Sequence, residues 1–283
     1  MLYLYDHIQE AAAFLRTKWN KTPHAGLILG TGLGNLASQI ETDLAIPYDE
    51  IPYFSVSTSL THKGQLVLGT LEGLPVMAME GRVHTYEGYD CKQITFPVRV
   101  MRALGAELLI VSNACGGMNP QFAQGDVMLI EDHINLMGVN PLIGVNDDRL
   151  GPRFPDMCEP YSHTLIDKAL EIARRENFAA QKGVYVGVLG PNLETRAEYR
   201  FMRTIGGDAV GMSTVPEVLV AIHSSMRVLG ISIITDICFP DALNPANIVE
   251  IIRTANEAEP KLTKIVCGIL AYEKTVLEKQ VKN

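Results

Sequence analysis

The run AGLILG, Ala25 to Gly30, is apolar or glycine at every position, and it limits the fold more than any other stretch of the chain. A strand with one wet face alternates apolar and polar residues, whereas an unbroken apolar run fits a strand buried on both faces. ELLIVSNA (Glu107 to Ala114) reads as a second buried strand, and DVMLIEDHI, GVYVGVL and RVLGISIIT as further strands. QLVLGTLEGLPVMAMEGR reads as a hairpin turning at Glu72 and Gly73. Helical spacing marks Asp6 to Trp19 (Ile8, Ala11, Ala12, Leu15), ITFPVRVMRALGA, Pro160 to Asn177, and Asn247 to about Lys279. Thr195 with Glu198, and Thr214 with Glu217, each match a T-x-x-E capping box, the second with Pro216 inside its first turn. Strands alternating with helices predict an α/β sheet covered on both faces, with ligands bound where strands end and helices begin. No repeat, linker or low-complexity segment divides the chain, so residues 1–283 read as one domain.

Composition narrows the function. Apolar residues make up 47% and charged residues 20%, a globular balance, and the net charge of −8 argues against nucleic acid or an anionic membrane as partner. The five cysteines, Cys91, Cys115, Cys158, Cys238 and Cys267, form no CxxC pair and read as buried thiols of a reducing compartment, not as disulfides or zinc ligands. Asp6, His7 and Glu10 stand where a signal peptide would be apolar, and no 18-residue apolar span occurs. A soluble, cytoplasmic protein is the expectation.

Four clusters at strand ends carry chemistry. GTGLGN, after the first strand, fits the dinucleotide fingerprint at Gly30 and Gly32 but has Asn35 at the third glycine position, and no Walker lysine follows. It is either a small-anion cradle around Thr31 or a plain strand–turn–helix corner. In GRVHTYEGY, an extended Gly81–Tyr86 would place Arg82, His84 and Tyr86 on one face, a surface for an oxyanion and a sugar, or else a solvated edge strand. In SNACGGMNP, paired glycines after a buried strand could point backbone N–H groups at an anion, or make a tight turn over Cys115. In GMSTVPEV, a Thr214 N-cap leaves Ser213 beside a helix N-terminus, where negative charge is favoured. Glu194 precedes the Thr195 cap in the same way and either compensates the dipole or contacts a ligand. His62, in STSLTHKGQ, is indistinguishable from a surface histidine. His7, His24, His133, His163 and His223 have no partner at metal-ligand spacing and read as structural or surface residues.

In order and spacing, LILGTGLG, THKGQLVLG, GRVHTYEGY, SNACGGMNP, LGPNLETRAEYR and DAVGMSTVPEV resemble the trimeric class of purine nucleoside phosphorylases across nearly the whole chain. The resemblance implies a single domain with a mixed, twisted β-sheet. It implies phosphate-dependent cleavage of purine ribo- or deoxyribonucleosides to free base and α-sugar 1-phosphate, with inosine and guanosine as the expected substrates. Inorganic phosphate is a co-substrate, no metal or organic cofactor is implied, and the assembly is a homotrimer. Carried over by motif position, phosphate would be held by Thr31, His62, Arg82, His84, the backbone of Ala114, and Ser213. Tyr86 and Met212 would line the ribose, with Asn247 near its 5′-hydroxyl, and Glu194 and Asp236 would contact the purine. His84, Glu194 and Asp236 are the expected catalytic residues.

This sequence departs from the family pattern at four positions. Leu193 stands where phenylalanine is frequent, Leu150 where an aromatic residue enters the neighbouring subunit's site, Asn247 where a histidine is usual, and Asp236 where an asparagine faces the base. The last opens an alternative, activity on 6-aminopurine nucleosides of the methylthioadenosine phosphorylase kind, which Glu194 argues against. A methyltransferase reading of the glycine loop leaves Arg82, His84 and Ser213 without a role. A non-catalytic nucleoside-binding protein would bind inosine without phosphate.

Overall fold

The structure, a computed structural model, describes residues 3–30, 34–58 and 63–282. The strands are β1 (Ala25–Leu29), β2 (Glu41–Pro47), β3 (Gln65–Leu71), β4 (Leu74–Glu80), β5 (Leu108–Gly117), β6 (Val127–Asn135), β7 (Ala180–Gly187), β8 (Ala209–Gly211) and β9 (Arg227–Ile237). The helices are α1 (Leu4–Lys18), α2 (Cys91–Leu104), α3 (His163–Arg175), α4 (Arg196–Thr204), α5 (Val215–His223) and α6 (Ile248–Lys282). β1 is buried at every position, as its unbroken apolar run requires. It lies parallel to β4 on one side and to β5 on the other. The hairpin β3–β4 turns at Glu72 and Gly73 as expected.

The nine strands run in the order β2-β3-β4-β1-β5-β8-β7-β6-β9, and β9 returns to pair with β5. Half of the sheet, β5-β8-β7-β6-β9, therefore closes into a ring, which linear reading of the chain did not foresee. Both strand orientations occur: β6 with β7 is parallel and β6 with β9 antiparallel, so the sheet is mixed. Helices α1, α2 and α5 pack together, as do α3 and α6, and the sheet lies in contact with both groups. One continuous core follows, running from Ile8 and Leu27 through Leu109 and Ile231 to Leu270.

Sequence patterning missed two strands. β2 buries only Ile46 and pairs with β3 alone, so as an edge strand it carries little apolar signal; β8 is three residues long. Helix α2 starts earlier than expected, at an Asp90–Gln93 capping box, and Asp90 accepts from the backbone N–H groups of Lys92 and Gln93. α3 is shorter than the Pro160–Asn177 span. The five cysteines are free, but Cys158 is exposed and Cys267 half-buried, which corrects the expectation that all are buried. Among the described residues no helix is long and apolar enough to cross a membrane, and no cluster of metal-ligating side chains occurs.

Candidate active site

The C-terminal ends of β1, β4, β5 and β9 open into a cavity of about 470 Å³. Gly30 is required at the end of β1, because a Cβ there would stand 2.8 Å from the Ser112 carbonyl of β5. β5 runs further than expected, through Gly117, with a register shift against β9 between Cys115 and Gly116. The paired glycines are therefore strand residues at a bulge and not an anion nest. A Cβ on Gly116 would sit 2.6 Å from the Cys238 sulfur. Ala114, just before the bulge, lines the cavity.

Arg82 is 2% exposed and held from behind. It meets the Glu217 carboxylate at 3.0 Å, donates to the Thr214 hydroxyl at 3.3 Å, and donates to the Ser112 carbonyl. Thr214 takes the N-cap position of α5, as its T-x-x-E pattern predicted, but the capping box does not form and its side chain makes no capping hydrogen bond. Its φ of 71° and ψ of −51° lie in a region β-branched residues avoid, and Val215 N–H closes onto the Ser213 carbonyl at 2.8 Å. That is a γ-turn of the strained hand, a conformation that collects at functional sites. Its hydroxyl also receives a 2.9 Å bond from Asn113 Nδ2, and Glu217, expected in the capping box, is drawn to Arg82 instead. The turn delivers Ser213 to the cavity wall.

The segment after Arg82 is extended only to His84. Thr85–Glu87 coils into a 3₁₀ turn, which breaks the expected alternation, yet His84 and Tyr86 still stack at 4.6 Å and both line the cavity. Glu87 orients His84: its Oε1 lies 3.0 Å from Nδ1 and accepts the His84 backbone N–H at 2.8 Å. Burial alone would raise the Glu87 carboxyl, but hydrogen bonds from Thr58 and His84 outweigh it and hold the group below its ordinary value. Burial pushes the Tyr86 phenol up.

Across the cavity a second group gathers: Leu193, Glu194, Tyr199, Met212, Thr235 and Asp236. The Thr195–Glu198 capping box forms as predicted and fixes the segment that carries Glu194. Burial raises the Glu194 carboxyl, nearby Asp236 and Glu198 raise it further, and a hydrogen bond from Tyr199 opposes them. Asp236 accepts from the Thr235 hydroxyl at 2.9 Å on Oδ1 and from the Cys238 thiol at 3.1 Å on Oδ2. Glu194 and Asp236 also border an adjoining cavity of about 480 Å³ that contains Asn247. There Asn247 caps α6, its Oδ1 accepting from Val249 N–H at 3.0 Å. Ile248, Ile251 and Ile252 of α6 complete the main cavity, a contribution that helical spacing alone could not assign to a site.

The structure thus brings together Arg82, His84, Tyr86, Ala114, Glu194, Met212, Ser213 and Asp236, with Asn247 next door. Thr31 and His62 lie outside the described residues. Leu150 lines a different cavity, beside Arg99, Arg149 and His223. His24 pairs with Glu273, His133 with Tyr161, and His223 with Arg99, the structural roles expected of them.

Strands that end around one cavity, with a guanidinium, an imidazole and hydroxyls on one wall and two carboxylates on another, define an α/β protein built for a small ligand with distinct ends. The model of the phosphorylase superfamily matches residues 24–271. Purine nucleoside phosphorylase 1 of Bacillus subtilis is 53% identical, with 95% of this chain and 99% of that protein covered. Its counterpart in Geobacillus stearothermophilus is 51% identical over 98% of each. The crystal structure of isoform 2 of the Schistosoma mansoni purine nucleoside phosphorylase, in complex with cytosine and ribose-1-phosphate, superposes with a TM-score of 0.90 at 39% identity, over 94% of this chain and 96% of that one. The chain belongs to the phosphorylase superfamily, among its purine nucleoside phosphorylases.

Proposed function

We propose that this protein cleaves the N-glycosidic bond of purine ribo- and deoxyribonucleosides with inorganic phosphate. A phosphate oxygen bonds to C1′ on the face opposite the base as the C1′–N9 bond breaks, and the bonding pair leaves with the purine. A β-nucleoside so becomes free base and α-pentose 1-phosphate. The observation that carries this reading is the convergence on one cavity of side chains from separate motifs: Arg82, His84 and Ser213 on one wall, Tyr86 beside them, and Glu194 and Asp236 on the other.

Each group has a role in this chemistry. Arg82, His84, Ser213 and the Ala114 backbone, together with Thr31 and His62, hold the phosphate dianion through charge-assisted bonds of roughly 1.5–3 kcal/mol each. The held phosphate also balances the cationic character that the sugar gains as the bond breaks. Tyr86 and Met212 flank the sugar, and Asn247 stands toward its 5′ end. Glu194 accepts N1–H of a 6-oxopurine, which favours inosine and guanosine, and Asp236 faces the part of the base that becomes anionic. Donors at that position act as preorganised groups do at any developing anion. No residue forms a covalent bond with substrate, and no organic cofactor or metal enters the scheme.

Homotrimeric assembly, with Leu150 directed at the neighbouring subunit's sugar, and a cytoplasmic location consistent with five free thiols, belong to the same proposal. Asp236 supports a second reading, activity on adenosine or methylthioadenosine, since an ionised carboxylate accepts from a 6-amino group. One assay separates these: release of base from inosine, guanosine, adenosine and methylthioadenosine, followed spectroscopically with and without phosphate. Phosphate-dependent release, fastest from inosine or guanosine, is the expected result. Release that ignores phosphate, or binding without release, overturns the proposal.

A further inference from the structure

The Thr214 hydroxyl lies fully buried behind the wall assigned above to phosphate, and it has three polar neighbours. Arg82 Nη1 donates to it at 3.3 Å and Asn113 Nδ2 at 2.9 Å. The third neighbour is the Ser213 hydroxyl, 3.1 Å from oxygen to oxygen. A guanidinium only donates, and the Asn113 amide presents its nitrogen, so both lone pairs of the Thr214 oxygen are taken. Among the described residues, one acceptor at hydrogen-bond distance is left for the hydrogen of Thr214, the oxygen of Ser213. Arg82, Asn113 and Thr214 thus supply one hydrogen each for the three contacts, and the hydrogen of Ser213 is not used in any of them. It cannot point back at Thr214, and Ser213 lines the cavity. The backbone of the serine is tied on both sides: its carbonyl accepts Val215 N–H at 2.8 Å, and its N–H donates to the Tyr185 hydroxyl at 3.4 Å.

We infer that Thr214 and Asn113 are positioning residues for the phosphate, which fix the Ser213 hydroxyl as a donor toward it. The polarity runs one way, from guanidinium and amide through Thr214 to Ser213. It ends in an O–H that suits an ionised oxyanion, whose oxygens accept. The strained turn serves this arrangement. A Thr214 side chain that capped α5 in the usual way would accept from the first N–H groups of the helix, and its oxygen would be spent there instead of on Arg82 and Asn113. Two effects set the size of the gain. Holding the Ser213 hydroxyl in one of three staggered wells is worth about threefold in binding, and polarisation along the chain of bonds adds up to roughly a further threefold.

This inference rests on the phosphorolysis reading, and its test separates the two. Wild type, Thr214→Val, Thr214→Ser, Ser213→Ala and Ser213→Ala combined with Thr214→Val are assayed for the KM of phosphate at saturating inosine and the KM of inosine at saturating phosphate. Thr214→Val keeps the shape without the hydroxyl, so the phosphate KM should rise about three- to tenfold while the inosine KM holds. Thr214→Ser, which keeps the hydroxyl, should restore the wild-type value. In the Ser213→Ala background Thr214→Val should move the phosphate KM by less than about twofold, because the hydroxyl it positions is already gone. Asn113→Leu withdraws one of the two donors and leaves the turn alone. It should give a smaller rise that also vanishes on Ser213→Ala, and it carries the test if Thr214→Val does not fold. A role through Arg82 alone, or a merely structural one, costs the same in both backgrounds and overturns the inference. So does a Ser213→Ala enzyme with the wild-type phosphate KM. An unchanged or lower phosphate KM in Thr214→Val overturns it too, since that is the result if Thr214 gives its hydrogen to the amide and Ser213 points back at Thr214. A wild type without phosphate-dependent activity overturns the phosphorolysis reading instead.

Discussion

Removing Glu217 should expose how the phosphate wall is held together. The Arg82–Glu217 pair is 3.0 Å long, and both side chains are 3% exposed. At that separation and an effective dielectric near 20 the attraction is about 5 kcal/mol. Deleting one member of a buried pair costs about 3–5 kcal/mol in measured cases, because the other charge is left uncompensated. Glu217 Oε2 has no hydrogen-bond partner, so the carboxylate rests mainly on the guanidinium. Glu217→Ala should then lower the thermal midpoint in phosphate-free buffer by roughly 6–10 °C, taking about 2 °C per kcal/mol for a chain of this size. Phosphate should return part of that loss. A dianion seated on Arg82 supplies the missing negative charge, so the variant gains more from saturating phosphate than wild type does. For scale, a ligand at a hundred times its Kd stabilises by about 2.7 kcal/mol. Differential scanning fluorimetry across a phosphate titration reads both quantities. A drop under about 2 °C, or equal phosphate shifts in the two proteins, would refute the reasoning.

Three further outcomes are expected. Arg82→Ala should lower kcat/KM for phosphate by about 10²–10³, the usual cost of one transition-state contact; steady-state kinetics at varied phosphate checks this, and unchanged values would remove Arg82 from the site. Asp236→Asn should raise the inosine-to-adenosine ratio of kcat/KM, since the amide donates permanently where the carboxylate must carry a proton; an unchanged ratio, or a wild type that prefers adenosine outright, contradicts this view of the base wall. Burial alone would raise Glu273, but hydrogen bonds and charge from Arg227 and His24 outweigh it and take the carboxyl down to about 2. Because the folded value is the depressed one, this stability is present above about pH 4.5 and is lost as pH falls toward 2, worth roughly 2–3 kcal/mol once screening through half-exposed Arg227 is allowed for. Glu273→Gln should flatten that acid limb in urea melts, and an unaltered limb would show the cluster to be indifferent.

Much of this was legible in the chain because the signals are local. Unbroken apolar runs gave β1, β5 and β9, and the Thr195–Glu198 box gave the start of α4. Positions matched by motif also met in space: Arg82, His84, Ser213, Glu194 and Asp236 border one cavity although they are spread over more than 150 positions of sequence. What escaped depends on tertiary partners. Thr214 and Glu217 have the spacing of a capping box, yet a buried guanidinium outbids the helix terminus for the carboxylate, and the N-cap residue adopts a strained turn without a side-chain cap. The two glycines of SNACGGMNP look like a turn, but β9 returning alongside β5 keeps them in strand, where the absence of Cβ admits a neighbouring sulfur. Cys238 lies outside every quoted motif, and Tyr199, although inside LGPNLETRAEYR, carries no signal that marks it as lining the cavity.

Helix α6 ties the two walls together. Its first turns supply Ile248, Ile251 and Ile252 to the cavity. Two turns further on, buried Glu259 accepts the Leu36 backbone N–H at 2.8 Å on Oε1 and the Asn35 side-chain N–H at 2.5 Å on Oε2. Asn35 is the residue that departs from the dinucleotide fingerprint. A glycine there could pack closely against a strand but could not reach a carboxylate. The asparagine anchors the far side of the glycine-rich loop to the helix that also lines the base wall. The residue that breaks the dinucleotide fingerprint thus gives the segment after β1 an anchor on α6 that glycine could not supply.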